Sequence, residues 1–202
     1  MVPRVISPFE GRELLVDNSA FQRGGQLTVR EAWLRALESG LLYRSPILEF
    51  EVLYSARNAR EYGELKEELE ALRPLELSRA SVEAALRAQA ELAQHAAGFH
   101  RLAPQDYFVA AIAAAHGVGV LHYDGDFDRI QSQSSLSFES VWVAPAGTLD
   151  EEPEDPLRQH RRALNLGLAQ FEGERAREVF ERVLDLLDAE LLTDGLQVPA
   201  RP

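Results

Sequence analysis

The chain has 202 residues, 46% hydrophobic and 27% charged, which suits one domain of moderate size, or one domain plus an appendage, around a proper core. It has no cysteine, so disulfides, zinc–thiolate centres and cysteine nucleophiles are excluded. With 33 acids against 21 bases the net charge is −12, which argues against holding nucleic acid by a broad basic surface, though not against acids that bind cations which then meet phosphates.

The start, "MVPRVISPFEG", lacks the apolar core of a signal peptide, and the longest apolar stretch, "YFVAAIAAA" (107–115), falls far short of the ~20 residues of a membrane helix. A cytoplasmic protein without membrane contact is expected. In chain order, Leu14-Leu15-Val16 reads as a short strand ending at Asp17. Residues 28–40 have helical apolar spacing and stop at Gly40. Residues 46–72 open with Pro46 and continue as a long charged helix, broken near Asn58 or Gly63. "LEL" (75–77) reads as a short strand, and residues 78–98 as an Ala-rich helix from a Ser cap to a Gly stop. A largely apolar helix over 103–117 carries Pro104 in its first turn. "VGVLHY" (118–123) is then a buried strand, the Ser/Gln stretch 131–137 a loop, and "SVWVA" (140–144) another strand. Strands alternating with helices predict an α/β fold, a parallel-type sheet with helices on its faces, and in such sheets ligands gather beyond the carboxyl ends of the strands.

After the Pro- and acid-rich "APAGTLDEEPEDP" (144–156) the character changes. Residues 177–192 place Val179, Phe180, Val183, Leu184, Leu187 and Leu191 on one stripe of an amphipathic helix. We therefore expect a domain over 1–149 and an acidic linker with a helical extension over 150–202.

Seven acids stand out. Asp17 directly follows a strand, with Ser19 two residues on as a hydrogen-bond partner; the plainer reading is a turn-forming residue. Asp106 sits in the first turn of an apolar helix, where a carboxylate gains ~0.3–1 kcal/mol from the helix dipole, yet its helical neighbours Leu102, Ala103, Val109 and Ala110 mark an inward face, where an acid needs a partner or a metal. In "DGDFD", Asp124, Asp126 and Asp128 alternate after a strand; solvated turn acids are the plain alternative, and Arg129 and Ser135 at the sixth and twelfth positions rule out an EF-hand. "ILEFEVLYSAR" offers Glu49 and Glu51, and spacing does not choose between them. His122 precedes the cluster and reads as a core or strand-surface histidine, with orientation of the acids or contact with substrate as the functional alternatives. Neither G-x-S-x-G nor a P-loop is present, and Lys66 is the one lysine. What remains is an oxygen-only carboxylate site suited to Mg²⁺ or Mn²⁺ and to phosphodiester displacement.

"LLVDNSA", "PILEFEVLYSAR", "HRLAPQDYFVAAIAAAHGVGVLHYDGDFDRI" and "VWVAPAGTL", in that order over roughly residues 12–149, resemble a PIN-domain ribonuclease of the VapC toxin type. The resemblance implies a PIN-like domain with a mostly parallel central sheet flanked by helices. It places the family's four metal-binding catalytic acids on Asp17, Glu51, Asp106 and Asp124, with Ser19 and Asp126 as accessories. It also implies an endoribonuclease using Mg²⁺ or Mn²⁺, homodimerisation, and silencing by a cognate antitoxin whose arginine can stand in for the metal's charge. Asn18 replaces the more usual Thr, and residues 150–202 have no counterpart in a typical member. Two other functions are weighed against this one. A haloacid-dehalogenase-like phosphatase would need a second Asp where Ser19 stands. A non-catalytic PIN-like scaffold would leave four clustered carboxylates without a task.

Overall fold

A computed structural model of the chain describes residue 9 and residues 11–149. The linker and helix expected over 150–202 lie outside the described residues. The elements run β1 (Leu14–Val16), α1 (Asn18–Phe21), α2 (Leu27–Glu38), β2 (Leu42–Arg44), α3 (Pro46–Tyr54), α4 (Ala59–Glu70), β3 (Arg73–Pro74), α5 (Arg79–His95), α6 (Pro104–His116), β4 (Gly119–His122), α7 (Asp126–Gln133) and β5 (Ser140–Trp142). Every strand pair is parallel, in the order β3-β2-β1-β4-β5. No helix among the described residues is long and apolar enough to cross a membrane.

The central strands β1 and β4 are short and buried on both faces, as a parallel sheet covered by helices requires. Successive side chains point to opposite faces. Leu14, Val16, Leu42, Leu121 and Val141 therefore join a core with Val29, Trp33, Leu48, Val52 and Leu69 of α2, α3 and α4. Leu15, Tyr43 and Val120 join a second core with Ala85, Leu92, Val109, Ile112, Phe127 and Ile130 of α5, α6 and α7. Sequence order progresses from β1 outward through β2 to β3, then returns to place β4 on the other side of β1. The order thus reverses between β1 and β4, and in open α/β sheets that reversal opens a crevice at the strands' carboxyl ends.

The break expected in residues 46–72 falls at Asn58: α3 ends at Tyr54, and Asn58 caps α4 by accepting from Glu61 N–H at 3.0 Å. Other expectations need correction. Strand β2 was not anticipated, because Leu42-Tyr43-Arg44 is too short to show periodicity. The strand expected at 75–77 lies at Arg73–Pro74, with the ladder carried on by Leu75 N–H to Arg44 O at 2.8 Å. Proline is tolerated there because β3 is an edge strand. The last two acids of "DGDFD" and the start of the Ser/Gln stretch belong to α7 rather than a loop, while Asp124 stays in the turn before it. Asp126 and Asp128 occupy its first turn, where the helix dipole favours negative charge, and Phe127 and Ile130 supply an i,i+3 apolar anchor.

Gly119 lets β4 approach β1: a Cβ there would lie 2.7 Å from Leu14 Cδ2 and 3.1 Å from the Glu139 carbonyl oxygen. Gly119→Ala is expected to cost about 1–3 kcal/mol by overpacking, read as a lower urea midpoint at unchanged slope. An unchanged midpoint would mean that β1 and β4 yield more readily than their full burial suggests.

Candidate metal centre

The crevice between β1 and β4 is where the acids meet. Asp17 ends β1 and caps α1. Its amide donates to Leu121 O of β4 at 2.9 Å, so the β1–β4 pairing itself locates the residue. Its Oδ2 accepts from Ser19 N–H at 2.8 Å and from Ser19 Oγ at 2.5 Å. That same hydroxyl oxygen accepts from Tyr123 N–H at 2.8 Å, tying α1 to the end of β4. Arg23 donates to Ser19 O at 2.9 Å and lies 4.3 Å above the Tyr123 ring.

Asp106 comes from the first turn of α6, after Pro104 at the helix start, and is only 8% exposed. Asp124 follows β4, and Asp126 begins α7, where its amide donates to Asp124 Oδ1 at 3.0 Å. Asp106, Asp124 and Asp126 each offer a carboxylate oxygen within 4.8 Å of the other two. Glu51, on α3, is half-buried and feels Asp17. Glu49, which spacing left level with it, turns away: its Oε1 accepts from Arg44 Nε at 2.5 Å, and Arg44 also caps the Leu69 carbonyl at 3.1 Å. The structure therefore gathers Asp17, Glu51, Asp106, Asp124 and Asp126 in one electrostatic neighbourhood, but only the last three meet the mutual spacing of a shared ion.

Repulsion and desolvation leave a clear mark. Asp106 is pushed up to about 8, first by burial and then by Asp17, Asp124, Asp126 and Glu51. The helix dipole, worth up to ~2 kcal/mol at a partly buried helix start, does not offset this. Asp17 is also raised, by burial above all, against the lowering effect of its Ser19 hydrogen bonds. Glu51 rises through burial and Asp17, and Asp126 through burial and Asp124. An oxygen-only set of this kind suits a hard divalent cation, whose charge removes the cause of the shifts.

Sequence reasoning missed the layer behind the acids. His122 is fully buried, and burial pulls it down to about 4. It accepts from Asp124 N–H, and on its other side meets Ser140 and Trp142, both of which donate to Asp128. The signal was present in the i, i+2 spacing of Asp126 and Asp128. In a helix, such residues point to opposite sides, one to the crevice and one to β5.

Comparison with known proteins follows this geometry. The PIN domain family matches residues 18–132. Ribonuclease VapC18 of Mycobacterium tuberculosis (strain ATCC 25618 / H37Rv) is 34% identical over 136 residues, covering 66% of this chain and 97% of that protein. Ribonuclease VapC51 of the same strain is 35% identical over 136 residues, covering 67% and 96%. Among solved structures, that of DNA-bound VapBC from Salmonella typhimurium shares the fold, with a TM-score of 0.54, 16% identity, and coverage of 66% of this chain and 99% of that chain.

Two outcomes are expected. Asp106 ionises near 3.8 when unfolded but holds its proton to about pH 8 when folded. The folded state thus binds the extra proton in between, and stability falls as pH rises through that window. His122 acts oppositely, since its folded value lies below its ordinary 6.5, so its loss of stability is confined to pH falling from about 6.5 to about 4. Melting temperature without metal should therefore drop between pH 6.5 and 8.5, and Mg²⁺ or Mn²⁺ should restore it most at the alkaline end. A flat profile, unmoved by either ion, would contradict the cluster's electrostatics. Separately, Ser19→Ala strands the Tyr123 N–H and should cost about 1–3 kcal/mol in denaturant unfolding.

Proposed function

The chain belongs to the PIN-domain family, and on that premise we propose that it is a metal-dependent endoribonuclease, the toxin member of a toxin–antitoxin pair. The observation that carries this reading is the convergence of acids from β1, α3, α6 and the β4–α7 turn, with Asp106 held protonated near neutral pH unless a cation joins it. We assign residues 1–149 to the nuclease domain and 150–202 to an extension of it.

In this reading Asp17, Glu51, Asp106 and Asp124 are the catalytic, metal-holding set, with Asp126 adding a carboxylate and Ser19 fixing Asp17. Mg²⁺ and Mn²⁺ both suit these donors. When bound, such an ion supplies Lewis-acid stabilisation of charge on the phosphodiester oxygens and eases ionisation of the attacking water. The chain's part is placement. Ser19 N–H and Oγ hold one oxygen of Asp17 and so set the direction of the other. Burial of Asp17 and Asp106, each 8% exposed, keeps water from screening the charges they present. RNA is the substrate, and a second copy and a cognate antitoxin are the protein partners this function implies. The phosphatase alternative gains nothing from Ser19, which is committed to Asp17 and Tyr123.

The test is cleavage of total bacterial RNA with matched Mg²⁺ and Mn²⁺. Wild type should cut, and EDTA should stop it. Asp17→Asn and Asp106→Asn should each lose at least about 100-fold, the equivalent of the several kcal/mol a metal supplies. At pH 8 without metal, Asp106→Asn should also melt no lower than wild type, since it removes a buried charge among like charges. Undiminished cleavage by Asp17→Asn would defeat the proposal.

A further inference from the structure

His122 lies at the end of β4 with no exposed surface, its ring 5.0 Å from those of Phe127 and Trp142. The backbone amide of Asp124 donates to His122 Nδ1 at 3.1 Å. An amide N–H can only donate, so Nδ1 carries a lone pair, and in the neutral ring Nε2 carries the proton. Nε2–H then donates to Ser140 Oγ at 2.6 Å, and that hydroxyl donates to Asp128 Oδ1 at 2.5 Å. Asp128 Oδ2 accepts from Trp142 Nε1–H at 2.9 Å. A directional chain thus runs from the carboxylate of Asp128 on α7, through β5, to the backbone of Asp124, and the amide of Asp126 in turn donates to Asp124 Oδ1 at 3.0 Å.

The contact from His122 to the amide two residues on has the form of an Asx turn, with an imidazole nitrogen in place of an Asn or Asp side-chain oxygen. An Asx side chain rotates freely once its partner is lost. This imidazole cannot, because Ser140 holds its far nitrogen and two aromatic rings flank it.

We propose that His122, oriented by Ser140 and Asp128, is a positioning residue that sets the Asp124–Asp126 turn and thereby the separation of the carboxylates that receive the cation. This rests on the assignment of Asp124 and Asp126 as cation ligands. His122 itself touches neither cation nor substrate. Groups that orient a ligand from behind typically change metal affinity by about 10–100-fold when removed.

The experiment is Mn²⁺ titration calorimetry on the full chain, with folding followed by circular dichroism. Wild type should bind, and Asp124→Asn should bind far more weakly. His122→Phe keeps a flat buried ring but offers no acceptor, and should bind Mn²⁺ about 10–100-fold more weakly at an unchanged spectrum. His122→Asn restores an acceptor for the Asp124 amide and should recover most of the affinity, which a merely space-filling histidine would not do. If His122→Phe binds as tightly as wild type, the positioning role is overturned while the cation site stands. If wild type and Asp124→Asn bind alike, the cation-site assignment has failed, and the proposal falls with it. Nitrogen-resolved NMR of wild type gives a reading that needs no variant to fold: Nε2 should bear the proton and Nδ1 should not. A proton on Nδ1 would overturn the proposal by itself.

Discussion

Mutual repulsion among carboxylates is the constraint around which this domain is arranged. Two unit charges 4–5 Å apart at an effective dielectric of ~20 repel by about 3–4 kcal/mol. Three such pairs approach the whole stability of a typical domain, ~5–15 kcal/mol. A chain that brings Asp106, Asp124 and Asp126 within 4.8 Å of one another must leave a proton on the cluster or offer it a cation. The protonated Asp106 is the first solution, and it makes the second favourable. Affinity for a cation here is repulsion relieved.

The scaffold carries that repulsion because it fixes the acids from several elements. Asp17 is held by the β1–β4 ladder and by the cap of α1, Asp106 by a helix start inside the second core, and Asp124 by the bond from its amide to the His122 ring. The two hydroxyls, of Ser19 and Ser140, stand on either side of β4 and perform similar tasks. Each accepts from one neighbour and donates to a carboxylate, and so adds a polar tie between two elements. The two hydroxyls thus hold Asp17 and Asp128 from opposite sides of the strand.

Much of this was legible in the sequence. Leu14-Leu15-Val16 and the run 118–123 could be read as buried strands because their residues are apolar without alternation, and the acids that follow them fall at strand ends. What stayed hidden had physical causes. A three-residue strand such as β2 has too few positions for periodicity, and it is fixed by its neighbours β1 and β3. The polar content of "DGDFD" masked a helix whose apolar anchors, Phe127 and Ile130, are only two. Glu49 and Glu51 were equivalent by spacing; the resemblance preferred Glu51, and the structural reason is Arg44, whose position on β2 was not foreseen. The role of His122 rests on Ser140, a residue that reaches it only through strand pairing, and no local pattern encodes that.

The order of the strands also has a consequence in time. β1 pairs with β4, so residues 14–16 must wait for residues 119–121 before the central ladder can close. Contacts this distant along the chain form late, and parallel pairing is intrinsically slow. During synthesis the ribosome has released Asp17 and Glu51 long before Asp106, Asp124 and Asp126 emerge. A half-made chain therefore carries no carboxylate cluster, and the crevice is complete only near the end of the domain. A chain assembled in this way has no cation site to offer until its closing strands are out.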